Sequence, residues 1–447
     1  MPRIRIGRYA VGMTGLLLIA TIAAAGPHAI PQDAGAPAIR SGEWRAWLES
    51  PGGALTFGLR LERGEDPGGE YRGWLINGAE TSEIPSVRME DGELILEFTH
   101  YNSIIRARPN ATGGSMRGEW KKVQGNDAWT IMNFGAAIRS TRPEPPARKR
   151  PAGDDPSVTP ISEALRVAGR WRIDFESSDD PAVGVFEVLP GLPGLPGLPG
   201  DRVQGTILTT TGDYRFLGGA YAERRMELSV FDGAHAFLFI AEVQDDGTLA
   251  GDFWSRDAWH ETWTAVRDEQ AALPDAFGLT AWIEDASLAD LKFRDLDGGI
   301  VSPADELFRG RGRIIEVFGT WCPNCNDATV YLKELHERYA DRGLSILGLA
   351  FEMTGDHGKD SAQVQRYIDH HGIEWPILVA GVSDKAEASK ALPVLDRVRS
   401  YPTFIFLDAA GGVKAIYTGF SGPATGAAHD KLREDFERII ETLLAGE

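Results

Sequence analysis

The feature that most constrains the fold is a pair of cysteines in one short motif, Trp321-Cys322-Pro323-Asn324-Cys325. They are the two cysteines of a 447-residue chain. An apolar run, residues 314–318, precedes the motif, and an amphipathic run follows it. This order predicts a buried strand, a tight turn and a helix that begins at the first cysteine. It indicates redox chemistry rather than a stabilising cross-link.

The two cysteines occupy different places on that helix, which predicts different roles for them. Unpaired backbone N–H groups at a helix N-terminus stabilise a thiolate. Pro323 suits the first helical turn, because proline lacks an N–H that would have no partner there. Cys322 is therefore predicted to be an exposed nucleophile of low pKa, and Cys325, one turn further on, a more buried resolving thiol.

Two other uses of a cysteine pair are a structural disulfide and a zinc site. A disulfide that closes so short a loop constrains the unfolded chain little. A structural zinc site needs four ligands, and the available histidines show no ligand spacing: His336, His370 and His371. We therefore predict no metal and no cofactor, only a redox-active disulfide between Cys322 and Cys325.

From about residue 277 to the C-terminus, strand-like apolar runs alternate with helical ones. Strands are predicted at 314–318, 344–351, 375–379, 403–407 and 413–417. Helices are predicted after Cys322, around 364–368 and over 427–444, with glycines 343 and 372 as stop signals. Such alternation is typical of an α/β sandwich with parallel central strands.

The preceding part of the chain divides into two β-rich modules, residues 41–141 and 161–267, with a Pro-rich linker at 142–160. Gly-x-Trp motifs open both modules, at Trp44 and Trp171, and later motifs recur in the same order, which predicts an internal duplication. Period-two alternation and frequent turn residues predict that each copy is a small, mainly antiparallel sheet, sandwich or barrel.

Residues 1–25 predict a signal peptide or an N-terminal membrane anchor. Three arginines precede an apolar stretch, and Ala23-Ala24-Ala25 offers a cleavage site. Export to the periplasm or another extracytoplasmic compartment would place the cysteines where disulfides persist, so a partner must supply electrons. The net charge of −19 argues against nucleic acid as the main partner.

Three segments together resemble the thioredoxin superfamily, and within it the TlpA/ResA-like exported thiol-disulfide oxidoreductases. They are Phe293-Arg-Asp-Leu-Asp-Gly, Phe318-Gly-Thr-Trp-Cys-Pro-Asn-Cys and Ser400-Tyr-Pro-Thr-Phe-Ile-Phe-Leu-Asp. The resemblance covers residues 277–447 and implies a thioredoxin-like domain there. It leaves the duplicated β-rich half without an assigned role.

The resemblance also implies roles for individual residues. Pro402 would be the cis-proline beside the disulfide, and Tyr401 would help to set specificity. The residues implied to contact substrate are Trp321, Pro323, Tyr401, Pro402 and Thr403. Glu316 stands in the predicted buried strand, where a carboxylate needs a role or a partner, and is implied to be the general base for Cys325.

The expected function is that of a protein disulfide oxidoreductase, and more specifically a reductase of exported protein disulfides supplied by an upstream electron donor. Relatives of this kind often serve cytochrome c maturation and cell redox homeostasis. The Pro-Asn dipeptide between the cysteines differs from the Gly-Pro of thioredoxin, so the direction of electron flow stays open.

Two alternative functions remain. A peroxiredoxin-like thiol peroxidase would have proline and a hydroxyl residue where this chain has Ile315 and Gly319. The other alternative is a binding protein in which the β-rich modules recognise a partner and the redox domain is accessory.

Overall fold

The computed structural model describes residues 39–64, 70–125, 128–139, 166–193 and 200–446. The predicted signal or anchor at 1–25 and the predicted linker at 142–160 lie outside these ranges. Among the helices of the described ranges, none is long and apolar enough to cross a bilayer.

The first sheet of the described chain is antiparallel throughout. Its strands are β1 (Gly42–Ser50), β2 (Gly53–Arg63), β3 (Tyr71–Asn77), β4 (Glu80–Glu83), β5 (Ser86–Glu90), β6 (Glu93–Phe98), β7 (Ser103–Pro109), β8 (Ser115–Val123) and β9 (Trp129–Ile138). They lie in the order β4-β3-β2-β1-β9-β8-β7-β6-β5. Side chains alternate as strand geometry requires, so Trp44, Ala46 and Leu48 are buried on one face of β1.

The second sheet closes on itself into a barrel. Its strands are β10 (Gly169–Phe175), β11 (Ala182–Pro193), β12 (Asp201–Thr209), β13 (Gly212–Asp213), β14 (Leu217–Ala222), β15 (Arg225–Phe231), β16 (Ala236–Val243), β17 (Leu249–Ser255) and β18 (Trp259–Arg267). They lie in the order β11-β10-β18-β17-β16-β15-β14-β12-β13, and β11 also pairs with β12. That last pairing completes the ring.

The two sheets share one topology, with β1 to β9 corresponding in order to β10 to β18. In both, the opening strand pairs with the next strand and with the last. The indole N–H of Trp44 donates to Arg40 O at 3.2 Å, and that of Trp171 donates to Val167 O at 3.0 Å, each four residues back. These matches support the predicted duplication, which remains a prediction.

The first sheet is open where the second is closed, and the barrel covers the opening. No ladder joins β3 to β5, whereas the equivalent β12 and β14 are paired. Phe231, Leu238 and Ile240 of the barrel belong to the hydrophobic core of the first sheet. Asn77 in β3 exchanges hydrogen bonds with the backbone of Phe231, at 2.9 and 3.1 Å. The two sheets therefore share part of one core.

The C-terminal part is the predicted α/β domain. Its strands are β19 (Phe293–Arg294), β20 (Ile300–Val301), β21 (Gly312–Phe318), β22 (Leu344–Glu352), β23 (Ile377–Val382), β24 (Thr403–Asp408) and β25 (Val413–Thr418). Its helices are α1 (Pro323–Tyr339), α2 (His357–His371), α3 (Lys385–Ala391) and α4 (Ala427–Ala445). The order is β20-β19-β23-β22-β21-β24-β25, with β21, β22 and β23 parallel to one another.

This arrangement confirms the predicted fold class, an α/β thioredoxin-like domain preceded by mainly antiparallel β-sheets. Sequence patterns did not predict β19, β20 or α3, because each is short. In α3 a single side chain, that of Ala388, is buried, so no apolar periodicity marks the helix.

Three histidines lie where the first sheet contacts α2. The rings of His100 and His370 are stacked with centroids 4.0 Å apart, and His371 meets His100 edge-on at 6.0 Å. Gln363 of α2 donates to His100 O at 2.7 Å. Burial, together with the neighbouring His370, lowers the pKa of His100 to about 2 and that of His371 to about 3. These rings are therefore neutral in the folded protein near neutral pH.

We expect acid to destabilise the protein through His100. Because its folded-state pKa lies below the ordinary value of about 6.5, the unfolded chain binds the proton first. The stability that the neutral ring contributes above about pH 6.5 is lost as the pH falls from there toward the folded-state pKa. The loss from this ring near pH 5 is about 2 kcal/mol. Between neutral pH and pH 5, the free energy of unfolding of His100→Phe in urea should therefore fall by about 2 kcal/mol less than that of the wild type.

The matched control is Phe98→Leu, because Phe98 is buried two residues away and carries no titratable group. This variant should lose stability by the same amount at both pH values. Equal pH dependence in His100→Phe and in the wild type would contradict the role assigned to His100.

Candidate active site

The cysteine motif lies where β21 ends and α1 begins. Every residue of β21 is buried, between parallel β22 and antiparallel β24. Cys322 is the N-cap residue of α1, with extended backbone, and its sulfur accepts a hydrogen bond from the N–H of Cys325 at 3.4 Å. Pro323 is the first helical residue. The predicted strand, turn and helix are all present.

The two thiols differ in their electrostatic surroundings. Burial by itself would raise the pKa of Cys322, but hydrogen bonds from the Cys325 thiol and amide and from the Asn324 amide outweigh it, and the pKa is lowered. Burial raises the pKa of Cys325 well above its ordinary value, and the adjacent Cys322 raises it further. Cys322 is the thiol that ionises first.

The prediction that Cys322 is exposed was wrong. Both cysteines are free thiols, with Cys322 at 7% and Cys325 at 0% relative exposure. The physical reason is that the β-barrel packs against the motif: the side chain of Asn324 donates to the backbone carbonyl of Asp213 at 3.3 Å. A contact between residues 111 positions apart leaves no local sequence signal.

The peptide bond between Tyr401 and Pro402 is cis, which confirms the prediction for that proline. The thiol of Cys322 donates to the carbonyl oxygen of Tyr401, with 3.5 Å between S and O. The first cysteine and the residue before the proline are therefore in direct contact.

Trp321 and Thr403 hold the surroundings of the motif in place. The indole N–H of Trp321 donates to Phe351 O at 2.9 Å, and its ring meets that of Tyr401 edge-on at 5.5 Å. The hydroxyl of Thr403 is buried and donates to Ser400 O at 2.9 Å. Trp321 remains partly exposed beside the thiols, whereas Thr403 is buried at the start of β24.

Glu316 is buried in the middle of β21, as predicted. It is 1% exposed, and its Oε1 atom has no hydrogen-bond partner among the described residues. Burial raises the pKa of Glu316 well above its ordinary value, and the charge of Cys322 raises it further. Glu316 in turn raises the pKa of Cys325. The ionisation of the Glu316 carboxyl group is therefore linked to that of the second cysteine.

A lysine from the first sheet reaches the motif. The side chain of Lys122, in β8, is buried, and its Nζ donates to the carbonyl oxygen of Trp321 at 3.1 Å. Burial lowers the pKa of Lys122 to about 8, so the amine is mostly protonated at neutral pH. Its charge contributes to the lowered pKa of Cys322.

The barrel supplies a second cation on the other side of Cys322. The guanidinium of Arg215 is buried, donates to Pro323 O at 3.2 Å and forms an ion pair with Asp327 of α1. The backbone carbonyls on both sides of Cys322 are thus held by cations from the two β-sheets.

Sequence reasoning missed Lys122, Arg215 and a buried carboxylate at the end of β22, Glu352. Burial raises the pKa of Glu352 to about 7, and it accepts hydrogen bonds from the amide and hydroxyl of Thr320 at 2.9 and 2.8 Å. Lys122 follows the inward Trp120 by two residues, so strand alternation could have predicted that it lies on the inner face. Arg215 lies in a turn and carries no such signal.

A cavity of about 430 Å³ opens beside Cys322, between the barrel and the α/β domain. Its lining includes Tyr214 and Phe237 of the barrel and Trp321 and Tyr401 of the α/β domain. The described residues contain no group of three or more His, Cys, Asp or Glu side chains that could hold a metal ion.

Residues 284–431 match the Redoxin family model. The C-terminal third of the chain is a redoxin domain. This domain is similar to the thiol-disulfide oxidoreductase ResA of Geobacillus kaustophilus, at 26% identity over 37% of this chain and 80% of the relative. ResA of Halalkalibacterium halodurans is 25% identical over 33% of this chain and 71% of the relative.

Solved structures are similar over the same part of the chain. A thiol:disulfide interchange protein from Chlorobium tepidum is 24% identical and covers 34% of this chain and 92% of its own, with a TM-score of 0.26. The redoxin domain is identified by the family match, the ResA relatives and the strand order described above. Together these place the domain among thioredoxin-like thiol-disulfide oxidoreductases.

Replacing Lys122 with methionine should make Cys322 less reactive. Without the nearby positive charge the pKa of Cys322 should rise, so its alkylation by iodoacetamide at neutral pH should slow by on the order of tenfold, the effect of one close charge. The pH profile of alkylation should shift to higher pH, which a merely structural loss would not cause.

The neighbouring Lys121 provides the matched control, because its side chain is partly exposed and pairs with Glu119 at 2.9 Å. Lys121→Met should leave the profile unchanged. A Lys122→Met protein with the wild-type pH profile would show that Lys122 does not act on the thiol.

Proposed function

We propose that this protein is an exported thiol-disulfide oxidoreductase that reduces disulfides in other proteins through Cys322 and Cys325. The arrangement of the two thiols supports this most strongly: Cys322 caps α1 with a lowered pKa and contacts the residue before the cis Tyr401–Pro402 bond, and Cys325 has a raised pKa. A nucleophile that ionises readily and a resolving thiol that stays protonated are the two parts that thiol-disulfide exchange requires.

The reaction proceeds in two exchanges. The Cys322 thiolate attacks one sulfur of the substrate disulfide, which forms a mixed disulfide and releases the other sulfur as a thiolate. Cys325 then loses its proton and attacks the sulfur of Cys322, which forms the Cys322–Cys325 disulfide and releases the second substrate thiolate. Two electrons pass to the substrate, and the released thiolates are protonated. A dithiol on an electron-donor protein returns the pair to its reduced form.

Glu316 is proposed to take part in the second exchange. Its buried carboxyl group and the Cys325 thiol influence each other, so the proton that Cys325 loses can pass to an ionised Glu316. No cofactor beyond the two cysteines is needed for these steps. We also propose that the chain works outside the cytosol, released or anchored at its N-terminus, because a persistent substrate disulfide requires an oxidising compartment.

Changing Cys325 to serine should stop the reaction at the mixed disulfide. Cys322 can still attack, but no thiol remains to release it, so a covalent complex with an oxidised protein substrate should accumulate toward one per molecule. Non-reducing electrophoresis and mass spectrometry measure this complex.

Cys322→Ser, which lacks the nucleophile, is the control and should trap nothing. If the Cys325→Ser protein also forms no mixed disulfide, the proposed exchange mechanism is wrong.

The Glu316→Gln variant should slow the resolving step. The amide resembles the protonated carboxyl in shape but cannot accept a proton, so release from the mixed disulfide should slow by about a hundredfold or more, the usual contribution of a general base. Stopped-flow measurement of single turnover separates this step from the attack by Cys322.

Glu337, an exposed residue of α1, provides the control variant Glu337→Gln. An unchanged rate of release in Glu316→Gln would remove Glu316 from the mechanism.

A further inference from the structure

A turn of the barrel lies directly over the face of the redoxin domain that carries the reactive thiol. This hairpin, residues 209–213, comprises the end of β12, the turn at 210–211 and β13. The hydroxyl of Ser400 donates to Thr211 O at 2.6 Å, and the amide of Gly422 donates to the Asp213 carboxylate at 2.6 Å. The hairpin therefore contacts the loop before Pro402 as well as the cysteine motif.

At Gly212 the contact leaves little room for a side chain. Gly212 has φ +154°, and a Cβ atom there would lie 1.9 Å from Nδ2 of Asn324, the residue between the two cysteines. The same asparagine donates to the backbone of Asp213. Any side chain at position 212 must therefore separate the hairpin from the motif or displace Asn324.

A cavity of about 430 Å³ opens beside Cys322 and is lined in part by the hairpin. The hairpin and the aromatic rings of Tyr214 and Phe237 form its barrel side, and Tyr401 forms part of the opposite side. Lys385 and Asp180 also line it, one cation and one anion. Cavities of roughly 300–1,000 Å³ hold small molecules, so this one has room for a cysteine and a few flanking residues.

We propose that the hairpin at 209–213 is a steric filter, which admits a disulfide on a short extended peptide segment and excludes disulfides on the surface of folded proteins. This inference rests on the proposed function and narrows its substrate class. A folded surface is too broad to bring its sulfur to a thiol that is 7% exposed behind the hairpin. An extended segment can enter lengthwise, with apolar side chains against Tyr214 and Phe237.

The hairpin belongs to the barrel, so the filter gives the β-rich half a function within the reaction. The filter requires no reactive group from the barrel, only that the hairpin keep a fixed position. Three hydrogen bonds fix that position, donated by Ser400, Asn324 and Gly422, and all three donors belong to the redoxin domain.

The first test compares two probes on the full chain. One is a short unstructured peptide that carries a single cysteine, oxidised to its disulfide-linked dimer, and the other is insulin, whose disulfides belong to a folded protein. The wild type should reduce the peptide with the higher kcat/KM. Equal or faster reduction of insulin would overturn the filter alone, whereas a wild type that reduces neither probe would overturn the proposed function and the filter with it.

The second test moves the hairpin. Gly212→Val should push it from Asn324, and Ser400→Ala should remove the bond to Thr211. In both variants the ratio of kcat/KM for insulin to that for the peptide should rise, by about tenfold in Gly212→Val, as expected when a steric exclusion is relieved. The ratio cancels any change in the intrinsic reactivity of Cys322.

Gly247 gives a matched control, because it is another positive-φ glycine of the barrel, at +84°, and a Cβ atom there would meet nothing within 4 Å. Gly247→Val should keep the wild-type ratio. A ratio that stays unchanged in both Gly212→Val and Ser400→Ala would overturn the filter.

Discussion

The buried guanidinium of Arg215 is the interaction on which the arrangement of the three sheets most depends. It forms ion pairs with carboxylates from three parts of the chain, Glu80 of the first sheet, Asp232 of the barrel and Asp327 of α1. Burial acts to lower the pKa of Arg215, but these carboxylates raise it well above its ordinary value. Breaking a buried pair by removing one partner costs about 3–5 kcal/mol, because an uncompensated charge stays behind. The three parts are therefore stable mainly as one assembly.

This dependence extends to the thiols, because the β-sheets hold the backbone on both sides of Cys322. Arg215 donates to Pro323 O, and Lys122 donates to Trp321 O. The two cations have separate effects. Three carboxylates offset the charge of Arg215, so it mainly positions α1, whereas the charge of Lys122 contributes to the lowered pKa of Cys322. The reactivity of the redoxin domain is thus set partly by residues outside it.

How much of this could be predicted depends on how far apart in sequence the interacting residues lie. The thiols, the buried Glu316, the central strands and the cis bond at Pro402 follow from local patterns and from the resemblance to a known family. The bond from Lys122 to Trp321 spans 199 positions and that from Arg215 to Pro323 spans 108. No periodicity reports such contacts, nor the contact of Asn324 with Asp213 that accompanies the burial of Cys322. The short α3 was missed for a different reason, the lack of a buried apolar face.

The two β-sheets have one topology, but the second closes into a barrel and the first stays open. Their contributions to the site differ for this reason. The barrel completes its own ring, so it is rigid enough to present Arg215 and the 209–213 hairpin at fixed positions. The first sheet lacks the pairing of β3 with β5 and packs its open side on Phe231 and its neighbours in the barrel. Its core is shared with the barrel, and its Lys122 donates to Trp321 O at 3.1 Å. An open sheet packed on a closed barrel therefore forms one frame that encloses Cys322, which is 7% exposed.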